Sequence, residues 1–247
     1  MATIVGEAPA AIETRQQATE RLFFWSMTVL IALIVFVGFS RTYLLAGLFH
    51  AKPLAAPIVH VHAAVFTSWF VLLVIQASLV VSGRTDLHRW LGIAGLVLAP
   101  LMVVLGIVVA DEVLHRLAKV PGVDAKVIFA AALGQIVGFS LPVFFAFRLR
   151  RLPDFHKRLI LIGSMALLGA AWGRWPIHFL LHNPLTSALA MFATLMTIVA
   201  YDLITLRKVH RATALGVAWV VCVQSAAVAI GPTAAWHNLA AHVPPLI

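Results

Sequence analysis

A chain of 247 residues that is 62% hydrophobic and only 11% charged, with a mean hydropathy of +1.00, is too apolar for a water-soluble domain of ordinary composition. Its net charge of +9 comes without any interleaving of aromatic and basic residues, so it reads as a topology signal and an attraction to anionic headgroups, not as a nucleic-acid surface. The one cysteine, Cys222, excludes a disulfide framework and a C-x-x-C-H haem attachment, and as a small apolar residue it needs no further role.

In chain order, residues 1–21 are polar, contain three Glu and lack the basic-then-apolar-then-small order of a secretory signal, so an uncleaved cytoplasmic segment is expected. Seven apolar runs follow, at 22–44, 57–82, 87–111, 127–147, 156–173, 185–206 and 212–231, each near the ~20 residues needed to span hydrocarbon as a helix. Lipid offers no partner for backbone N–H and C=O groups, and barrel-like alternation is absent, so the expected fold is an all-α polytopic transmembrane bundle of seven helices. Residues 22–231 form one domain, and 232–247 form an extracytoplasmic tail. Twelve of the 18 Lys and Arg fall on the side of the N-terminus and the second, fourth and sixth loops, which predicts a cytoplasmic N-terminus.

Three helix starts resemble one another. "GRTDLHRWLGIAG" opens the third span, "RLPDFHKRLILIG" the fifth and, more loosely, "LRKVHRATALGVA" the seventh. The spacing predicts His88, His156 and His210 at one membrane depth on the cytoplasmic side, in a repeat of descending helix, basic loop and returning helix opened by D-x-H-[RK]. Asp86 and Asp154 also suit the first turn of a helix, where a carboxylate favours the positive end and accepts orphan N–H bonds. Interfacial anchoring explains His, Arg and Trp at such positions equally well.

The remaining eight histidines, His50, His60, His62, His115, His178, His182, His237 and His242, fall on the outer side. His60 and His62 point about 200° apart on a helix, and His62, the deeper, is the candidate for the interior. His178 and His182, four apart in "PIHFLLHNP", share a helical face. That spacing is half of a zinc site, but Phe, Leu and Leu stand where a metalloprotease needs its Glu. Clustered di-iron runs, Ser or Cys nucleophile motifs and Gly-rich phosphate loops are missing.

Haem b requires less: one imidazole from each of two helices, apolar walls and a basic group for the propionates. The candidate inner ligands are His88, His156 and His210 with Arg89 and Arg158, and the outer ones His62 with His178 or His182 beside Arg41 and Arg174. Histidines without a haem-sized gap at His62, His178 and His182 would favour zinc or copper. Gly92, Gly95 and Ala99, and Gly169 with Gly173, offer faces for close helix packing, while Pro100 and Pro142 interrupt the third and fourth helices. For Gln76, Gln135, Gln224 and Asp202 three readings stand open: interhelical bonds, a quinone head-group site, or a solute path, with Asp202 most simply paired to a cytoplasmic Arg or Lys.

"GRTDLHRWLG", "PDFHKRLILIG", "HVHAAVFTSW" and "AYDL" followed by "VHRA" resemble a group of uncharacterised bacterial inner-membrane proteins over most of residues 40–215. More distantly, helices opened by L-H-R-x-L-G or H-[KR]-R-[LF]-[IM] are similar to multi-helix b-type cytochromes and to small membrane proteins of haem-copper oxidase assembly. The resemblance implies a His-bearing bundle with a haem or oxidase-linked role, and a quinone or respiratory complex as partner. It departs from the di-haem pattern, in which four successive helices supply deeper ligands, because the fourth and sixth spans contain no His. The expected function is a haem b-binding redox protein. The alternatives are a non-redox transporter or oxidase assembly factor, and a metal-dependent membrane enzyme.

Overall fold

The computed structural model describes residues 9–50, 56–181 and 184–246. Every regular element among them is helical: α1 (Pro9–Phe39), running into a π-helical turn (Ser40–Leu44), α2 (Pro57–Val81), α3 (Thr85–Leu117), α4 (Ala125–Arg148), α5 (Pro153–Ala166), α6 (Leu168–Trp172), α7 (Pro184–Leu206), α8 (Arg211–Ile230) and α9 (Ala234–Ala241). By length and composition, α1, α2, α3, α4, α7 and α8 can each cross a membrane, as in a multi-pass membrane protein. Their outward faces carry unpaired apolar side chains such as Leu33, Val71, Val104, Leu189 and Leu215, the surface that lipid rather than water would solvate.

The fifth apolar run differs from the expected single span. It folds as α5 and α6 in tandem, separated by a turn at Leu167, and it occupies the middle of the bundle. Helices α1, α4, α7 and α8 pack against α5, and α2 reaches it through Trp69, whose indole N–H donates to Ser164 Oγ at 3.1 Å while its ring meets Phe139 of α4 edge-on. Leu161, Ile162, Met165, Ala166 and Leu168 are completely buried, which makes this short pair the core of the fold.

A helix break in apolar surroundings frees backbone groups that need partners. Two of the polar residues left open by sequence supply them. Gln224 Nε2 of α8 donates to the Ala166 carbonyl at 3.0 Å, and Gln135 Oε1 of α4 accepts from the Ala170 N–H at 3.2 Å. Both are therefore interhelical bonds. Gly38 allows the close approach of α1 to α6, since a methyl group there would collide with the Ala171 carbonyl.

Pro100 and Pro142 do not interrupt α3 and α4 as expected, for both helices continue on either side. Each proline removes one ladder bond, and packing holds the rest, with Pro142 buried against Gly163 of α5. Helix α3 also outruns its predicted end at 111 by nearly two turns. The segment after Ala110 loses hydropathy but not helix propensity, and Arg116 Nε bonds Glu112 Oε1 at 2.9 Å across one turn.

Candidate functional site

The α2–α3, α4–α5 and α7–α8 connections share one end of the bundle, together with the first turns of α1 that reach Lys157 through Glu20. His88 lies one turn into α3 and His156 one turn into α5, each directly after the tight connection that returns the chain toward the preceding helix. Each ring reaches back to that helix. His88 Nδ1 faces the Gln76 carbonyl of α2 at 3.3 Å, and His156 Nδ1 faces the Ala146 carbonyl of α4 at 2.9 Å. A carbonyl can only accept, so each Nδ1 carries the proton, and in the neutral ring each Nε2 keeps its lone pair. Among the described residues, neither Nε2 makes a hydrogen bond.

The two rings lie beside one another in a T-shaped arrangement, with centroids 6.3 Å apart and planes at 86°. Phe147 meets His156 edge-on at 6.3 Å, and its ring also fills the space beside Gly95. One turn along α3 from His88, Gly92 is open: a methyl group there would find only the Gln76 amide nitrogen, at 3.9 Å. Both polar atoms of that amide are buried without a partner. A half-open face of α3, two imidazoles with free lone pairs and an unsatisfied amide thus converge at one place. Arg150 Nη1 donates to the Phe147 carbonyl at 3.1 Å, next to the carbonyl that His156 meets. Arg89 is exposed beside the outward-facing Trp90.

The third histidine of the motif is differently employed. His210 caps the N-terminus of α8, its Nδ1 accepting the Ala212 N–H at 3.1 Å, and its ring meets Phe155 edge-on at 5.0 Å. That cap needs an unprotonated Nδ1. Burial, then the charge of Arg158, lowers the His210 pKa from its ordinary value and favours the same neutral ring. Two of the three motif histidines pair, and the third holds a helix end.

Arg158 is also committed. It is 1% exposed, and its Nη2 and Nε donate to Asp202 Oδ1 of α7 at 2.7 and 3.2 Å, while Nη1 donates to the Asp154 carbonyl at 3.2 Å. Asp202 is fully buried. Its other oxygen accepts from Thr213 Oγ1 at 2.5 Å and from the His210 N–H at 3.0 Å. Lys157 Nζ adds contacts of 2.6 Å to both Glu20 and Asp154, and holds the Asp154 carboxyl below the ordinary carboxylate range. Asp202 thus pairs with an Arg, as its position implied, and the guanidinium has few donors left for a propionate.

On the opposite end the candidates stay apart. His62 turns toward α3 near the Leu105 backbone and stacks on Phe66 with centroids 4.0 Å apart, its Nδ1 unpartnered. His60 instead meets the Tyr43 hydroxyl at 3.3 Å on the exposed side. His178 is exposed, and His182 lies outside the described residues. Arg174 donates to the Ala170 carbonyl at 2.6 Å and sits over the Phe39 ring, and Arg41 sits over Phe49. Among the described residues, no three His, Cys, Asp or Glu side chains form a group able to hold a metal ion.

Gln76, Phe147, Arg150 and the Ala146 carbonyl were not singled out as one site by sequence. The Ala146 carbonyl carried a signal, since the last carbonyls of a helix lack intrahelical partners and seek donors. No protein-family profile matches this chain, and no curated protein or solved structure matches it either.

Proposed function

We propose that this protein is an inner-membrane redox protein that binds haem b between His88 and His156. The observation that supports the reading is the pair itself. Two neighbouring imidazoles from different helices, with ring centres 6.3 Å apart, are the residues that would hold the haem iron. Anchoring Nδ1 on a carbonyl and leaving Nε2 free is also the way proteins orient a metal-binding imidazole and raise its basicity. When bound, haem supplies one-electron chemistry. The chain orients the imidazoles through Gln76 and Ala146, walls the site with Phe147 and the open flank at Gly92, and offers the Gln76 amide as a donor to whatever occupies it. Arg150, bonded to the Phe147 carbonyl next to the one that His156 meets, would be the cation for the propionates in place of Arg158.

In this reading α5 and α6 together make a seventh crossing, the N-terminus is cytoplasmic, and the paired histidines lie near the cytoplasmic surface, within reach of a quinone or a respiratory complex. A reporter fused after Ile247 should be active only outside the cytoplasm. The test of function is the absorption spectrum of the purified protein with and without reductant. A reduced haem band is expected in the wild type and in His50→Ala, and not in His88→Ala or His156→Ala. A wild type that shows no band when haem is supplied overturns the reading.

A transporter is the second reading, favoured by the broken helix at the bundle centre. It ranks below the first because Gln135 and Gln224 already satisfy the backbone groups that the break frees.

A further inference from the structure

At the end of the bundle opposite the paired histidines, the chain turns back after α9 and fastens to the last turns of α3. Helix α9 is itself held to α4: the Trp236 indole N–H donates to the Lys126 carbonyl at 2.8 Å, and its ring stacks on Phe129. Beyond α9, Pro244 and Pro245 have no N–H and a fixed φ, so the segment is stiff and its contacts fall on the residues that flank them. The Leu246 N–H donates to Asp111 Oδ2 at 2.8 Å, and the Val243 carbonyl lies 3.1 Å from His115 Nε2.

His115 has an acceptor at each ring nitrogen. Nε2 meets the Val243 carbonyl, and Nδ1 lies 3.0 Å from the Asp111 carbonyl and 3.4 Å from Asp111 Oδ1. A neutral imidazole has one N–H, so it serves one of these sides and turns a lone pair toward an acceptor on the other. Only the imidazolium donates to both. Its charge also falls beside the Asp111 carboxylate, which is 2% exposed and holds Leu246 through its other oxygen. A second contact responds to protons in the same direction: His237 Nε2 of α9 lies 3.4 Å from Asp124 Oδ2, while Asp124 Oδ1 caps α4. Among the described residues, the other charged groups at this corner are Glu112 and Arg116, bonded to one another, with Lys119 after α3 and Lys126 on α4. His242 bonds back to the Asn238 carbonyl of its own helix.

We infer that His115 is a proton-operated clasp for the C-terminal segment. Protonated, it ties Val243 and, through Asp111, Leu246 to the end of α3; deprotonated, it opposes one of its own two contacts and lets the segment go. An imidazole changes charge between about pH 5 and about pH 8, so the segment is held in acid and released as pH rises.

A nitroxide on Leu246→Cys, in a full chain whose native Cys222 is replaced by Ala, reads the clasp directly, because the backbone N–H at 246 is kept. In detergent, the ratio of immobile to mobile label should fall about tenfold between about pH 5 and about pH 8. His115→Gln, which carries no charge at any pH, should leave the label mobile at both values with helical circular dichroism unchanged. His115→Arg, a permanent cation with several donors, should hold the label immobile at both. His237→Gln should make the response shallower and keep it. A wild-type ratio that stays constant or rises with pH, a response undiminished in a folded His115→Gln or in His115→Arg, or one abolished by His237→Gln alone would overturn the inference.

Discussion

His88 and His156 on one side, and His210 with Arg158 and Asp202 on the other, arise from the same kind of helix start at the same end of the bundle, yet they are finished differently. In the Arg158–Asp202 region nearly every polar atom has a partner: one carboxylate oxygen takes the guanidinium, the other takes Thr213 and the His210 backbone, and the His210 ring caps α8. Around His88 and His156 the accounting stays open: among the described residues the two rings bond only through Nδ1, the Gln76 amide is unsatisfied and the flank of Gly92 is unfilled. A closed network of this kind holds helices in place, while an open one leaves polar atoms without partners. The same motif is thus closed off in one copy and left open in another, and under the proposed haem reading the open copy is the one that binds; the partner atoms, not the motif, decide which.

The comparison breaks most visibly at the closed network. Arg158→Ala or Asp202→Ala leaves a buried charge without its partner, and should lower stability by about 3–5 kcal/mol, read as a large fall in the thermal unfolding midpoint in detergent. Replacing both by Met and Leu should recover part of that loss, because the desolvation of two charges is then avoided. His88→Ala, by contrast, should leave the midpoint within about 1 kcal/mol, the worth of one bond to a carbonyl that already belongs to a helix. If the two kinds of variant lose stability equally, the division into closed and open regions is wrong.

The broken centre gives the next effect. Gln224→Leu leaves the Ala166 carbonyl unsatisfied in the core and should cost about 1–3 kcal/mol. Trp69→Phe, which removes one indole bond to Ser164 but keeps an aromatic ring against Phe139, should cost about 1 kcal/mol. Both are measured by the same unfolding experiment.

The smallest effect is a pH slope. The folded state lowers the His210 pKa, so its contribution to stability is fully present above the ordinary value near 6.5 and is lost as pH falls through the lowered value. Stability should therefore decline on acidification from neutral pH. His210→Asn, which caps a helix without titrating, should decline less steeply. An identical slope in the variant would remove His210 from the account.

Much of this was legible in the residues, though unevenly. Hydropathy located the six long helices, since an apolar run of that length has few other fates. It could not separate α5 from α6, because the break at Leu167 depends on Gln135 and Gln224, which lie far away in the chain and are brought to it by packing. The repeat brought His88 and His156 into one group, but His210 joined them on the same grounds and proved to be a cap, a role set by a single backbone N–H. Arg158 looked free because Asp202, its partner, is 44 residues away. The partner of Asp111 was invisible, since the Leu246 N–H reaches its Oδ2 only where the chain returns 135 residues later.

The pairing of His88 and His156 is the centre of the account, and the reduced-minus-oxidised absorption spectrum of His156→Ala beside wild type and His210→Ala tests it most directly. The account predicts a haem band in the wild type, its loss in His156→Ala and its retention in His210→Ala. A band that survives in His156→Ala, or one that disappears only with His210, would contradict it.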